Sequence, residues 1–159
     1  MYSHFPLQYK RFSQKEYTYN EITQRNRNRL LQTYDLADGI KTGHTSSAGY
    51  CLAASAKSGN RRYVAIIFGA NSSKVRFTYS KTLFKFGFRN FTTEKYFQKN
   101  KVVVKERMWN GEEKYIDIGF NKDVYLTLLK YDENEVVPKI NLISKITAPV
   151  RVNQKLGTV

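Results

Sequence analysis

The stretch GYCLAASAKSGNRRYVAIIFG, residues 49–69, decides how the first part of the chain is built. Its two arms, Gly49 to Lys57 and Arg61 to Gly69, are rich in small, β-branched and aromatic residues, which fit a pleated, half-buried surface. Between them, Ser58-Gly59-Asn60 supplies turn chemistry, because glycine and asparagine reach backbone conformations that branched residues avoid. The stretch therefore reads as an antiparallel hairpin. Beyond it, Asn71-Ser72-Ser73 offers a helix N-cap, and Val75, Tyr79, Leu83 and Phe86 follow at helical spacing until Gly87 offers a C-cap. One amphipathic helix is expected there, with those four residues as its apolar face.

Outward from the hairpin the pattern weakens on one side and changes on the other. Residues 1–48 are polar and aromatic with little sustained periodicity, apart from a weak alternation in KEYTYNE (15–21) and the arginine-rich NRNRLL (26–31). Short strands and loops are expected in this segment. On the far side, KVVVKERMW (101–109) meets Asn110-Gly111 and then KYIDIGF (114–120), a second hairpin signal. Strand-like runs follow at Asp123–Lys130, Lys139–Ser144 and Pro149–Val152, with turn-forming residues between them. A composition shift near Phe91 to Lys95 marks a boundary between residues 1–91 and an all-β half, 92–159. The expected class is α+β: an antiparallel sheet with one helix, then a small sandwich-like β domain.

Composition narrows the function. With 41% apolar and 14% aromatic residues, 159 residues suffice for a real core in one ordinary domain or two small ones. Lysine and arginine number 27 against 13 acids, a formal charge of +14, so an anionic partner such as nucleic acid, a membrane surface or a wall polymer is plausible on charge alone. The cations are scattered along the chain and match no recognised nucleic-acid motif, so no specific nucleic-acid partner is expected. One cysteine, Cys51, excludes an intrachain disulfide or a cysteine zinc site, and His4 and His44 cannot make a multi-histidine centre. Neither metal nor cofactor is expected, and Cys51, among Gly49, Tyr50, Leu52 and Ala53, reads as a small buried hydrophobe. The opening MYSHFPLQYKRF lacks the basic and apolar regions of a signal peptide, and the most apolar run, Val64 to Ala70, is too short to span a membrane. These residues are thus expected to carry neither a signal peptide nor an anchor.

The chemistry points to Asp38-Gly39-Ile40-Lys41-Thr42-Gly43-His44-Thr45. Lys-Thr-Gly is one of three signatures of serine enzymes that bind penicillins. A glycine lets a substrate backbone lie against a strand, a threonine hydroxyl can hold a carboxylate, and a lysine cation tunes proton transfer near a nucleophile.

The surrounding run raises this signal. NRNRLL (26–31), DGIKTGHTSSAGYCLAASA (38–56), the hairpin and KTLFKFGFRNF (81–91) together resemble the low-molecular-mass penicillin-binding proteins of the serine D-alanyl-D-alanine carboxypeptidase type. Trp109-Asn110-Gly111, the run from Asp123 to Thr127, and Ala148-Pro149-Val150 resemble that family's β-rich second domain. The resemblance implies a partial penicillin-binding/β-lactamase-like sheet in residues 1–91 and an incomplete second domain in 92–159. It implies an active site of three parts, a Ser-x-x-Lys nucleophile, a Ser-x-Asn and the Lys-Thr-Gly strand. Carried over, Lys41 would join the serine–lysine hydrogen-bond network and Thr42 would hold the terminal carboxylate of a D-Ala-D-Ala peptide. Gly43 would let that peptide lie close, the backbone N–H of His44 would be one of two oxyanion-hole donors, and Arg27 would lie near the substrate carboxylate.

The departures are as specific. No serine is followed three residues later by lysine, so no nucleophile is present, and Ser58-Gly59-Asn60 lies after Lys-Thr-Gly where turn chemistry explains it. The resemblance implies a complete enzyme in the periplasm or on the outer face of the cytoplasmic membrane, acting on peptidoglycan stem peptides ending in D-Ala-D-Ala and acylated by β-lactams. The other partner it implies is the N-terminal catalytic half that bears the serine. This chain alone is expected to be inactive. The alternative is a basic, non-catalytic binding module for nucleic acid or cell-wall polymer.

Overall fold

Strand pairing organises the first of two units, residues 1–92 and 93–159, in the computed structural model, which describes residues 2–131 and 136–159. In chain order the first unit holds α1 (Pro6–Tyr9), β1 (Glu16–Tyr19), β2 (Ile22–Arg25), α2 (Leu30–Thr33), β3 (Ala37–Thr45), β4 (Gly49–Ser58), β5 (Arg61–Ala70) and α3 (Ser73–Asn90). β3, β4 and β5 form an antiparallel sheet in that order, so β3 lies at an edge. Ser58 pairs with Arg61 and Gly59 takes a φ of +56°, which makes Ser58-Gly59-Asn60 the turn of the β4–β5 hairpin. β1 and β2 form an exposed hairpin whose two turn residues, Asn20 and Glu21, both have positive φ.

The register sets the core. Thr42, Leu52 and Ile67 share a sheet face with Ala54, Ala65, Ala56 and Tyr63. The alanines let α3 approach closely, and Phe77 and Phe84 pack there with Leu30 and Leu52. Tyr34 stacks on Phe84 with ring centroids 5.9 Å apart. At the end of α3, Arg61 Nη1 donates to the carbonyls of Phe88 and Phe91, at 3.1 and 2.7 Å, satisfying groups that a helix terminus leaves open.

α3 begins as expected, with the Ser72 hydroxyl accepting from the Val75 N–H at 3.2 Å. Its face and its end differ from expectation. Arg76, Phe77, Ser80, Phe84 and Gly87 are buried, whereas Tyr79, Leu83 and Phe86 are exposed and Val75 is half-buried. The helix carries two apolar stripes, and the alanines of β4 select the one with Phe77 and Phe84. Gly87 is not the cap, since α3 continues to Asn90; a Cβ at Gly87 would stand 3.3 Å from the Tyr63 ring, so glycine serves close packing there. α1 and α2 are single turns, too short to leave a periodic signal.

The second unit is all-β, with β6 (Phe91–Phe97), β7 (Val102–Trp109), β8 (Tyr115–Gly119), β9 (Val124–Leu129), β10 (Asn141–Leu142), β11 (Ile146–Thr147) and β12 (Gly157–Thr158). Among the described residues they form three small sheets, β11-β7-β8, β6-β9 and β10-β12. Asn110-Gly111 is part of a longer β7–β8 loop and not a two-residue turn: the ladder ends at Arg107–Tyr115, with the Met108 N–H donating to the Lys114 carbonyl at 2.9 Å, while the other edge of β7 pairs in parallel with β11 through Met108–Ile146 and Trp109–Thr147. Pro149–Val152 forms no strand, its place in the ladder being taken by Ile146–Thr147, ahead of a proline that has no N–H to donate. Part of the turn expected between Lys130 and Lys139 falls at residues 132–135, outside the described residues. Ile146 and Leu156 are the buried apolar side chains of this unit among the described residues.

Candidate functional site

Antiparallel alternation sends neighbouring residues of β3 to opposite faces. Lys41 faces the side of Ala53 and Ile66, whereas Thr42, 9% exposed, faces the side on which α3 packs. The Lys41 ammonium is exposed and donates to the Thr42 carbonyl at 2.8 Å. Gly43 and His44 lie exposed at the end of β3, and the His44 ring is 4.0 Å from that of Tyr50.

Two arginine clusters brace this strand. Arg62 grips Asp38 with both ends of its fork, at 2.8 and 2.6 Å, and also donates to Ser55 Oγ at 2.5 Å and Tyr9 at 3.3 Å, with the Tyr2 ring stacked 4.0 Å away. The hydrogen bond to Asp38 raises the Arg62 pKa above its ordinary value against the opposing effect of burial. The bridge pins β3 just ahead of Lys41. On the other side, Arg76 is 6% exposed and donates to the carbonyls of Gly43 and Cys51. Burial lowers its pKa from the ordinary arginine value.

Arg27 is exposed on a cleft of about 470 Å³ that it shares with Arg25, Arg29, Ser73 and Arg76 and that no acidic side chain lines. Asn28, almost fully buried, anchors this segment by accepting from the Leu30 N–H at 3.2 Å. The structure thus brings Arg27 together with Arg76, and Lys41, Thr42, Gly43 and His44 together on one strand. Arg76 was not legible as a site residue, because an arginine in the first turns of a helix, with Ser73 and Ser80 as its helical neighbours, ordinarily reads as solvated. Cys51 is half-buried and its thiol donates weakly to the Ala48 carbonyl at 3.4 Å. Among the described residues no three His, Cys, Asp or Glu side chains gather to hold a metal, and no helix is long and apolar enough to cross a membrane. A larger cleft of about 600 Å³ in the second unit is lined by aliphatic side chains such as Val104, Ile118 and Leu142 together with polar ones such as Asp117, Arg151 and Lys155.

The sheet with Lys-Thr-Gly on its edge strand, the helix packed behind it and the β-rich unit that follows in sequence superpose on a solved penicillin-binding protein. Residues 1–72 match the family described as D-alanyl-D-alanine carboxypeptidase, and residues 91–159 match the C-terminal domain of penicillin-binding protein 5. The chain is 40% identical over 156 residues to D-alanyl-D-alanine carboxypeptidase DacD of Escherichia coli (strain K12), covering 97% of this chain and 40% of that relative. It is 38% identical over 157 residues to DacA of Haemophilus influenzae, again covering 97% of this chain and 40% of the relative. The solved structure of penicillin binding protein 5 from Haemophilus influenzae superposes with a TM-score of 0.86 at 36% identity, covering 98% of this chain and 46% of that one. The chain belongs to the D-alanyl-D-alanine carboxypeptidase family of penicillin-binding proteins. It spans about 40% of the length of these curated relatives. The alternative of a basic nucleic-acid or polymer-binding module is not favoured by these matches.

Proposed function

We propose that these residues form the Lys-Thr-Gly wall of the acylation site of a serine D-Ala-D-Ala carboxypeptidase that trims peptidoglycan stem peptides outside the cytoplasmic membrane. The observation that carries this reading is the open edge of β3, bearing Lys41 and His44, with an arginine-lined cleft on the same unit. An extended peptide can add to that edge as another strand, and Gly43 offers it no side chain to clash with. Thr42 and Arg27 supply a hydroxyl and a guanidinium suited to a terminal carboxylate. Lys41, on the opposite face of β3, supplies the cation of the serine–lysine network.

The serine is not among these 159 residues. Its hydroxyl, losing a proton to the network that Lys41 joins, attacks the carbonyl of the penultimate D-alanine. The oxyanion that forms is met by the His44 N–H. The C–N bond then breaks, the nitrogen takes a proton, D-alanine leaves, and water hydrolyses the acyl ester. A β-lactam is attacked by the same serine.

The uncovered surface supports the same reading. Val64, Ile66 and Phe68 are exposed, Phe68 by 80%, and by register Val64 and Ile66 share the Lys41 face. Apolar side chains clustered beside a catalytic cation suit packing against further protein, and the serine-bearing part of the catalytic domain is the partner of this reading. The test is release of D-alanine from a peptide ending in D-Ala-D-Ala. The chain alone should release none above its Lys41→Ala variant, whereas a protein joining it to the Ser-x-x-Lys-bearing part of a relative should turn over. Release by the isolated chain, or none by a folded joined protein, would refute the assignment.

A further inference from the structure

We infer that Arg76 is a positioning residue for the oxyanion donor, acting through the peptide plane that joins Gly43 to His44; its catalytic consequence rests on the function proposed above. Arg76 Nη1 donates to the Gly43 carbonyl at 3.0 Å and to the Cys51 carbonyl at 3.1 Å, and Nη2 donates to Ser73 Oγ at 3.2 Å. The guanidinium also lies against the rings of Phe77 and Tyr50, at 4.9 and 5.4 Å. Among the described residues no carboxylate pairs with it, and its buried Nε has no hydrogen-bond partner. A buried cation without a counter-charge is costly. Three hydrogen bonds offset that cost, and two of them go to the backbone of β3 and β4.

Gly43 and Cys51 are direct cross-strand partners, and one Nη1 group reaches both carbonyls. The Gly43 carbonyl is therefore turned towards β4. In a planar trans peptide, that carbonyl and the following N–H point in opposite directions. The His44 N–H is consequently turned to the unpaired edge of β3, where a substrate carbonyl would lie. A hydrogen bond from a cation to the carbonyl also draws electron density from the amide nitrogen and makes its N–H a stronger donor. A donor held in advance needs no reorientation in the transition state.

The first arm of the test uses the full chain, labelled with ¹⁵N. Arg76→Lys keeps a cation but cannot reach both carbonyls, and Ser73→Ala leaves the arginine while loosening its fork. The expected result is a displaced His44 amide ¹⁵N resonance and an altered His44 N–H dipolar coupling in Arg76→Lys, and a smaller change of the same sign in Ser73→Ala, with the amides of Leu52 to Ala56 unmoved. An unchanged His44 amide in folded Arg76→Lys overturns the inference. If Arg76→Lys does not fold, an unchanged His44 amide in Ser73→Ala overturns it. The second arm uses the joined protein, in which Arg76→Lys should lower kcat about tenfold with little change in KM, as expected for a donor that acts in the transition state. A wild-type joined protein without turnover would instead refute the function proposed above, while the His44 resonance still decides the geometry. Unchanged kcat beside active wild type overturns the positioning role.

Discussion

In residues 1–92 the rings of Phe77 and Phe84 press on the alanines of β4 over a sheet braced at Asp38 and Gly43 by buried or half-buried arginines. In residues 93–159 the described residues bury only Ile146 and Leu156 among apolar side chains, and β8 and β9 alternate between exposed and half-buried. Each large side chain fully buried in the first unit contributes about 1.5–3 kcal/mol. The second unit relies more on its ladders of backbone hydrogen bonds, each of net value near 1 kcal/mol. The larger buried core thus lies in the unit that holds Lys-Thr-Gly.

That contrast can be broken from either side. Phe84→Ala, which empties the centre of the first core, should cost about 3–5 kcal/mol in chemical denaturation and should unfold the first unit. A loss below about 1 kcal/mol would mean that this core does not hold the sheet. Ile146→Ala should cost less, about 2 kcal/mol, since the thin interior of the second unit can collapse around the gap, and the loss should be confined to protection of β7 and β11 in hydrogen exchange. Asp38→Asn removes the bidentate partner of Arg62. Because both side chains are partly exposed, at 18 and 29%, the expected cost is about 1–2 kcal/mol, with faster amide exchange at the start of β3.

The smallest effect is a pH dependence in the second unit. Asp123 accepts from Lys95 Nζ at 2.7 Å and from the Lys99 N–H at 2.8 Å, and these bonds hold its carboxyl below the ordinary value of 3.8. A carboxyl that ionises more readily when folded adds stability above its unfolded pKa and loses it as pH falls through the lower folded value. Acid titration should therefore weaken the β6–β9 pairing below about pH 4, and Asp123→Asn should flatten that limb without touching the first unit. An acid limb of unchanged shape in Asp123→Asn would assign the effect to other carboxylates.

The β4–β5 hairpin and the turn at Gly59 were legible because β-forming composition and turn chemistry are local properties. The strand through Lys-Thr-Gly was legible through the family resemblance, since residues 1–48 show little periodicity of their own. The buried face of α3 was not, since Val75, Tyr79, Leu83 and Phe86 are as periodic as Phe77 and Phe84 and only the alanines of β4 choose between the stripes. The parallel pairing of Ile146–Thr147 with β7 escaped for a similar reason, being a two-residue, long-range contact with no pattern of its own. Arg76 was hidden most deeply: the carbonyls it binds, Gly43 and Cys51, stand 33 and 25 residues away in sequence.

The most direct test of the Lys-Thr-Gly assignment is the intact mass of the joined protein after exposure to a penicillin, with Lys41→Ala alongside. A single covalent adduct should form in the joined protein, about a hundredfold or more slower in Lys41→Ala, and none on the 159-residue chain alone. An adduct forming as fast in Lys41→Ala as in the unsubstituted joined protein would contradict the assignment.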